Sequence, residues 1–385
     1  MNLRPRRLLS WLAGLVSVTG LPYLLFVGLY LRRSPEGSPA DKVYGTEPSV
    51  SVVLPTYDEE RIVESKLEAV CGWDYPMERV EVVVVDSSDD RTPDIVESFF
   101  ADREAPSLTL IREPERRGLA VALNEAYAAA ENEVVVKTDC DSRVADDALR
   151  EAVANLEDPA VGGVTGRNAE VLGGSEVERG YRDVQAEIQT LESHLDSTFI
   201  FHGPFSAFDA DAVVPIDDDS IADDTELALR VRKGGDRVLF DPEIRYKEAS
   251  HSEFSKRHGQ KDRRAMGLLR VLWRQRGMLG GYGAYGRVVL PFNWWFMVVS
   301  PALVTAGVGV ATLAGLALAG PFGLAVPAAL AGFVRLGGRD ALGPLQPAYS
   351  LFDTQVSLAR AAVSLLRGEG DGTWEVDAEL REAFE

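Results

Sequence analysis

VVVKTDCDS (134–142) is the stretch on which the reading of this chain turns. Three consecutive valines predict a strand buried on both faces. The run ends in Lys137, Thr138 and then Asp139-Cys140-Asp141. In an extended segment residues i and i+2 point the same way, so the two carboxylates face one site. Two such carboxylates repel unless a cation sits beside them, and a hard divalent ion such as Mg²⁺ or Mn²⁺ suits them and bridges to a diphosphate. On its own, a D-x-D in so acidic a chain is as readily a solvated loop.

The segments around it repeat the pattern. SVVLP (51–55), VEVVVVD (80–86) and SLTLI (107–111) are short apolar runs. Each precedes an amphipathic stretch: one opened by Asp58 as a cap, one starting near Thr92-Pro93, and GLAVALNEAYAAA (118–130). A fourth helix is expected from Ala145. Valine-rich strands alternating with helices predict an α/β domain, a mostly parallel sheet covered on both faces. Ligands of such sheets bind at the carboxyl ends of the strands. Those ends carry Thr56-Tyr57-Asp58, Asp86 and Asp139.

Composition narrows the class. The 385 residues carry a net charge of -20, from 60 acidic and 40 basic residues. So acidic a surface repels phosphates and argues against a nucleic-acid partner. Only 7 of the basic residues are Lys, and heavy Asp and Glu with little Lys points to a salt-loving source. Cys71 and Cys140 form no disulfide framework, which suits a reducing compartment.

Residues 8–31 are uncharged and long enough to cross a bilayer. A signal peptide would be shorter and end in small residues, whereas Arg32 and Arg33 follow here. Residues 288–334 hold no charge and predict a hairpin of two spans over 288–335, turning near the middle or at Gly320-Pro321. A basic juxtamembrane helix is expected over 271–287, and an amphipathic helix over 349–368 that lies on membrane lipid or packs as a short soluble helix. Arg4, Arg6 and Arg7 favour a cytoplasmic N-terminus. The larger cluster from Arg257 to Arg287 places the polar block itself in the cytoplasm.

PTYDEE (55–60), VVVVDSSDDRT (82–92), RRGLAVALNEA (116–126) and TDCDS (138–142), in this order, resemble family 2 glycosyltransferases of the GT-A fold. The resemblance spans residues 48–270. It implies that Pro55, Thr56, Tyr57, Glu59 and Asp86 line the nucleoside, and that Asp139 and Asp141 hold the metal. Arg117 or Arg116 would supply the charge lost where Leu119 replaces the family's Lys. FHGPFSAFDADAV (201–213) resembles the acceptor segment, with His202 and Gly203 lining the acceptor and Asp209 where such members usually carry Arg. IADDTELALRVRKGG (221–235) resembles the Glu-Asp motif and implies Asp224 as base with Asp223 beside it. Gln260-Lys261-Asp262-Arg263-Arg264 resembles Gln-x-x-Arg-Trp. It implies that Gln260 and Arg263 meet the donor diphosphate, while Arg264 replaces a sugar-stacking Trp and suits a phosphate. His202, His251 and His258 are left outside the metal set, since a lone His is more often structural.

Three functions compete. The first is an inverting transferase that moves a sugar from a nucleotide sugar, by family frequency a UDP-sugar, onto a lipid-linked or cell-surface glycan. The second is a processive polysaccharide synthase, which needs the missing Trp and more spans. The third is a scaffold without catalysis, which predicts damage at Asp139, Asp141 or Asp224. The first expectation places a multi-pass protein in the cell membrane with its catalytic domain in the cytoplasm.

Overall fold

The computed structural model describes the chain apart from residues 1–4, 173–175, 250–253, 340, 369–377 and 385. His251 lies outside the described residues. After α1 (Pro5–Arg33), β1 (Val50–Thr56), β2 (Val80–Asp86) and β3 (Ser107–Arg112) alternate with α2 (Val63–Cys71), α3 (Thr92–Phe100) and α4 (Leu119–Ala129), and β4 (Val134–Lys137) follows. Then come β5 (Ser142–Val144), α5 (Ala148–Leu156), β6 (Val161–Leu172), α6 (Glu176–Leu195), β7 (Ser206–Asp209), α7 (Asp223–Gly234), β8 (Arg237–Ala249) and α8 (Phe254–Arg274). All eight strands form one sheet in the order β3-β2-β1-β4-β7-β6-β8-β5.

The valine runs are explained by two cores. Val50, Val52, Leu54, Val82 and Val84 pack on one face with Val63, Leu67 and Val70 of α2. Val53, Val83 and Val85 pack on the other with Leu123 and Ala126 of α4 and Leu227 of α7. Alternate residues therefore feed opposite cores, and a polar side chain such as the buried Ser51 is accommodated by donating to Glu81 Oε2 at 3.0 Å.

The sheet is mixed. β3, β2, β1 and β4 run parallel. β7 then runs antiparallel between β4 and β6, and β5 antiparallel to β8. The reversal brings residues 203–206 back to the rim where β4 ends, since Ser206 pairs with Lys137 and Asp209 with Val134. Two local expectations shift. Asp58 does not cap α2: it sits in a turn at φ 53, and α2 begins at Val63. The helix expected from Ala145 begins at Ala148, because Ser142–Val144 first adds a strand.

Beyond α8, α9 (Leu290–Trp294) and α10 (Ser300–Ala319) run on through π-helical turns, and α11 (Ala325–Gly337), α12 (Gln346–Leu366) and α13 (Ala378–Glu382) complete the described chain. Pro5–Arg33 and Tyr285–Gly337 are long and apolar enough to cross a membrane. They touch each other: Phe26 stacks on Phe292 at 3.9 Å, and the Tyr23 and Ser300 hydroxyls lie 2.9 Å apart. The apolar hairpin turns at Gly320, whose φ of 54 suits glycine, just before Pro321.

Close backbone approach makes one glycine essential. A Cβ on Gly166 would lie 2.3 Å from the Ile244 carbonyl oxygen, where β6 and β8 cross a bulge. Gly166→Ala is expected to destabilise the fold by about 1–3 kcal/mol, as overpacking does. Gly234→Ala, with nothing within 4 Å, serves as the control. Thermal midpoints of the two purified variants in the same detergent check this.

Candidate active site

β4 delivers the centre of the site. Lys137 closes the strand with its side chain only 3% exposed, and its Nζ donates to Asp139 Oδ1 at 2.8 Å and lies 3.7 Å from Asp223 Oδ2. Burial alone lowers the Lys137 ammonium. Asp139, Asp223 and Asp224 outweigh it and hold the group charged well above the ordinary lysine range. Behind the Asp139–Asp141 turn, the buried Lys66 donates to Thr138 Oγ1 at 2.8 Å and to Ser142 Oγ at 3.1 Å, which pins the turn to α2.

Asp223 and Asp224 open α7. Carboxylates belong at a helix N-terminus, where unpaired N–H groups and the helix dipole favour negative charge. Asp223 is buried, and its Oδ2 has no hydrogen-bond partner among the described residues. Burial first, and Asp223 second, push Asp224 up to about 8, with Lys137 opposing. Gly203 marks where these groups meet. A Cβ built on it would lie 2.6 Å from Asp139 Oδ2, 2.7 Å from Lys137 Nζ and 3.4 Å from Asp224 Oδ2. Residues 137, 139, 203 and 224 thus surround one small space at the carboxyl rim.

The first-strand residues lie beside it. Asp86 is buried, and its Oδ1 accepts from Thr56 Oγ1 at 2.6 Å and from Ser88 Oγ at 2.6 Å. Pro55 and Thr56 pair with Val85 and Asp86 across β1 and β2. The Arg116 guanidinium lies 3.8 Å over the Tyr57 ring. Glu59 is buried and gripped by Arg381, which also reaches Asp141 Oδ2 at 3.1 Å. Arg117 is not brought to this group; Glu113 holds it at 2.7 Å, together with Glu125.

α8 packs beside the start of α7, where a Cβ on Gly267 would lie 3.1 Å from Ala222 Cβ. Burial and the neighbouring Arg264 pull the Arg263 guanidinium below the ordinary arginine range, while Asp223, Asp139 and Asp141 pull it back. Its charge therefore lies in the field of the cluster. Gln260 is half-buried one turn earlier on α8. Arg264 turns away to Glu248 Oε1 at 2.8 Å, and Arg182 takes the other oxygen at 3.3 Å. His202 packs beneath, with its Nε2 3.0 Å from Gln189 Oε1. Burial, then Arg182, push it down to about 3, so its ring is neutral. Asp209 accepts from the Asp211 amide at the far end of β7 and does not bear on this rim.

The donor set suits a hard divalent cation. Asp139 Oδ2 faces the space at Gly203, and the Asp141 side chain is 32% exposed. Glu151, Asp241 and Glu243 also lie close together, but Lys42 Nζ stands among them at 2.8, 2.8 and 2.9 Å and already supplies the cation. Lys137 and Arg381 are the site residues that sequence reasoning missed. A lysine closing a valine run was the one visible signal.

Comparison with known proteins shows the family and the fold. The family model "Glycosyl transferase family 2" matches residues 51–214, and "Glycosyl transferase family group 2" matches residues 134–333, more than half of the chain. A mannosyltransferase from Pyrobaculum calidifontis, solved with GDP-Man and Mn²⁺, superposes with a TM-score of 0.79. It is 29% identical, covering 94% of this chain and 100% of that one. A beta-monoglucosyldiacylglycerol synthase of Synechocystis is 29% identical over 239 residues, 58% of this chain and 48% of that relative. A dolichyl-phosphate hexose transferase of Haloferax volcanii is 39% identical over 92 residues, 24% of this chain and 36% of that relative. The chain spans about half the length of the curated relatives that it matches over the longest stretches.

His202 gives a pH test. Its folded pKa lies below its unfolded value of 6.5, so its contribution to stability is complete above pH 6.5 and is lost as pH falls toward about 3. Replacing it in His202→Gln is expected to flatten the decline of the thermal midpoint between pH 6.5 and pH 5, a range above the titration of Glu248, which Arg264 and Arg182 hold at about 2 against its burial.

Proposed function

Since this chain belongs to glycosyl transferase family 2 and has the GT-A fold, we propose that it is an inverting transferase that moves a sugar from a nucleoside-diphosphate donor onto a lipid-linked or cell-surface glycan acceptor at the membrane. The observation that carries this reading is the meeting of Asp139, Lys137 and Asp224 around Gly203, within the field of Arg263. Residues 139, 203, 224 and 263 are far apart in the chain, and a solvated acidic loop has no reason to gather them.

Each residue then has a task. Asp224 takes the proton of the acceptor hydroxyl as the anomeric carbon is attacked, and a carboxylate held near 8 is matched to that task. Arg263 meets the diphosphate oxygens as a planar fork. Asp139 and Asp141 would hold a Mg²⁺ or Mn²⁺ ion, whose chemistry would be to neutralise charge on the diphosphate. Thr56, Tyr57 and Asp86 form the nucleoside slot, and Gly203 keeps the space beside the base open. His202, neutral and fixed by Gln189, shapes the acceptor side.

The donor class rests on chemistry, and its base on comparison. UDP-sugars are expected from family frequency. The Pyrobaculum mannosyltransferase was solved with GDP-Man, so GDP-mannose stands beside UDP-sugars as a donor. Lipid acceptors fit the names of the Synechocystis and Haloferax relatives and the apolar helices. We place the catalytic domain at the cytoplasmic face, where nucleotide sugars are made, with the apolar helices as its membrane anchor.

Asp224→Asn is expected to lower transfer by about 10²–10⁴-fold, the range of general-base catalysis, with donor affinity nearly unchanged. Full activity in this variant rejects the base. Asp141→Ala is expected to weaken metal-dependent binding of GDP or UDP, and unchanged affinity by calorimetry rejects the metal site.

A further inference from the structure

α13 ends inside the donor side of the site. Arg381 lies 240 residues beyond Asp141 and 322 beyond Glu59. Its side chain is 7% exposed. Nε donates to Glu59 Oε2 at 2.9 Å, Nη2 donates to Glu59 Oε1, and Nη1 donates to Asp141 Oδ2 at 3.1 Å. One planar guanidinium thus fastens a residue of the β1–α2 loop to a carboxylate of the β4–β5 turn.

The segment around Arg381 is built in. Leu380 and Phe384 are buried, and Phe384 joins the core that α2 and β1 form. Arg143, two residues after Asp141, donates from Nη2 to the Phe384 carbonyl oxygen at 3.0 Å, and its guanidinium lies 4.8 Å over the Phe384 ring. The contact is therefore a docked interface that grips the Asp139–Asp141 turn from two sides.

Charge gives the contact its purpose. Glu59, Asp139 and Asp141 crowd one rim. Burial pushes Glu59 up to about 7 even with Arg381 beside it, and burial raises Asp141 while Arg381 opposes it. Asp139 has Lys137 as its own partner. Arg381 gives Asp141 the matching one, and by holding Oδ2 at 3.1 Å it fixes the direction of the carboxylate. Groups that orient metal-binding side chains in this way typically govern metal affinity by about 10–100-fold.

The geometry points to Arg381 as a positioning residue of the cation site, with the 378–384 segment as an integral wall of the donor pocket that orients Asp141 and ties it to the nucleoside loop through Glu59. This rests on the glycosyltransferase reading of Asp139 and Asp141 as the metal site.

The test is Mn²⁺ binding to the full chain in detergent, followed by electron paramagnetic resonance with GDP or UDP present, for the native protein, Arg381→Ala and Arg381→Lys. Arg381→Ala is expected to lose about 10–100-fold in Mn²⁺ affinity. Arg381→Lys keeps the charge without the fork and is expected to fall between. It also keeps the test decisive should the alanine variant not fold. A role in folding alone would lower the thermal midpoint and leave the affinity of the folded fraction unchanged, and that result overturns the proposal. Tighter Mn²⁺ binding in Arg381→Ala also overturns it, because the guanidinium would then be competing for the cation's place. Failure of the native protein to bind Mn²⁺ with either nucleotide overturns the metal-site reading itself, and this arm separates the two failures.

Discussion

Lys137 is an ammonium with almost no access to water, and an isolated charge so placed costs several kcal/mol. Asp139 at 2.8 Å and Asp223 at 3.7 Å offset that cost, and they come from opposite sides of the rim. The strand end and the start of α7 are thereby drawn to one point. The space at Gly203 follows, since the antiparallel return of β7 must pass beside the same ammonium. A side chain on Gly203 would press on Asp139 Oδ2 at 2.6 Å and Lys137 Nζ at 2.7 Å and force that pair to shift. The raised pKa of Asp224 comes first from its burial in the same arrangement, and the neighbouring Asp223 adds to it against Lys137.

The parallel half of the fold was legible in the sequence because its strands are buried on both faces. Val50–Thr56, Val80–Asp86 and Val134–Lys137 leave little room for any other reading. The second half was not legible in that way. β7 has four residues, and β6 carries Gly162, Gly163, Gly166, Arg167 and Asn168 among its apolar positions. Its glycines serve the close approach of Phe208 and Ile244, which no local pattern announces. The site divides along the same line. Asp139, Asp141, Asp224 and Arg263 stand in motifs with local spacing, whereas Lys137 and Arg381 gain meaning only from partners far along the chain. Arg117 shows the converse: it stands in the expected motif and turns to other partners, Glu113 and Glu125.

α8 behaves as a rod of about 30 Å, at 1.5 Å per residue. Toward its end Arg274 is braced on Asp219 at 2.7 Å and Asp217 at 3.1 Å, in the loop that leads to α7. Along its flank His258 and Lys261 both hold Asp353 of α12, at 2.8 and 3.0 Å, and Arg360 of α12 holds Asp262 at 3.1 Å. Arg263 sits between these braces. Ion pairs thus tie the rod to the loop before α7 on one side and to α12 on the other. The helix that carries Arg263 therefore shares its anchorage with α12, so the position of that guanidinium depends on how α12 is seated.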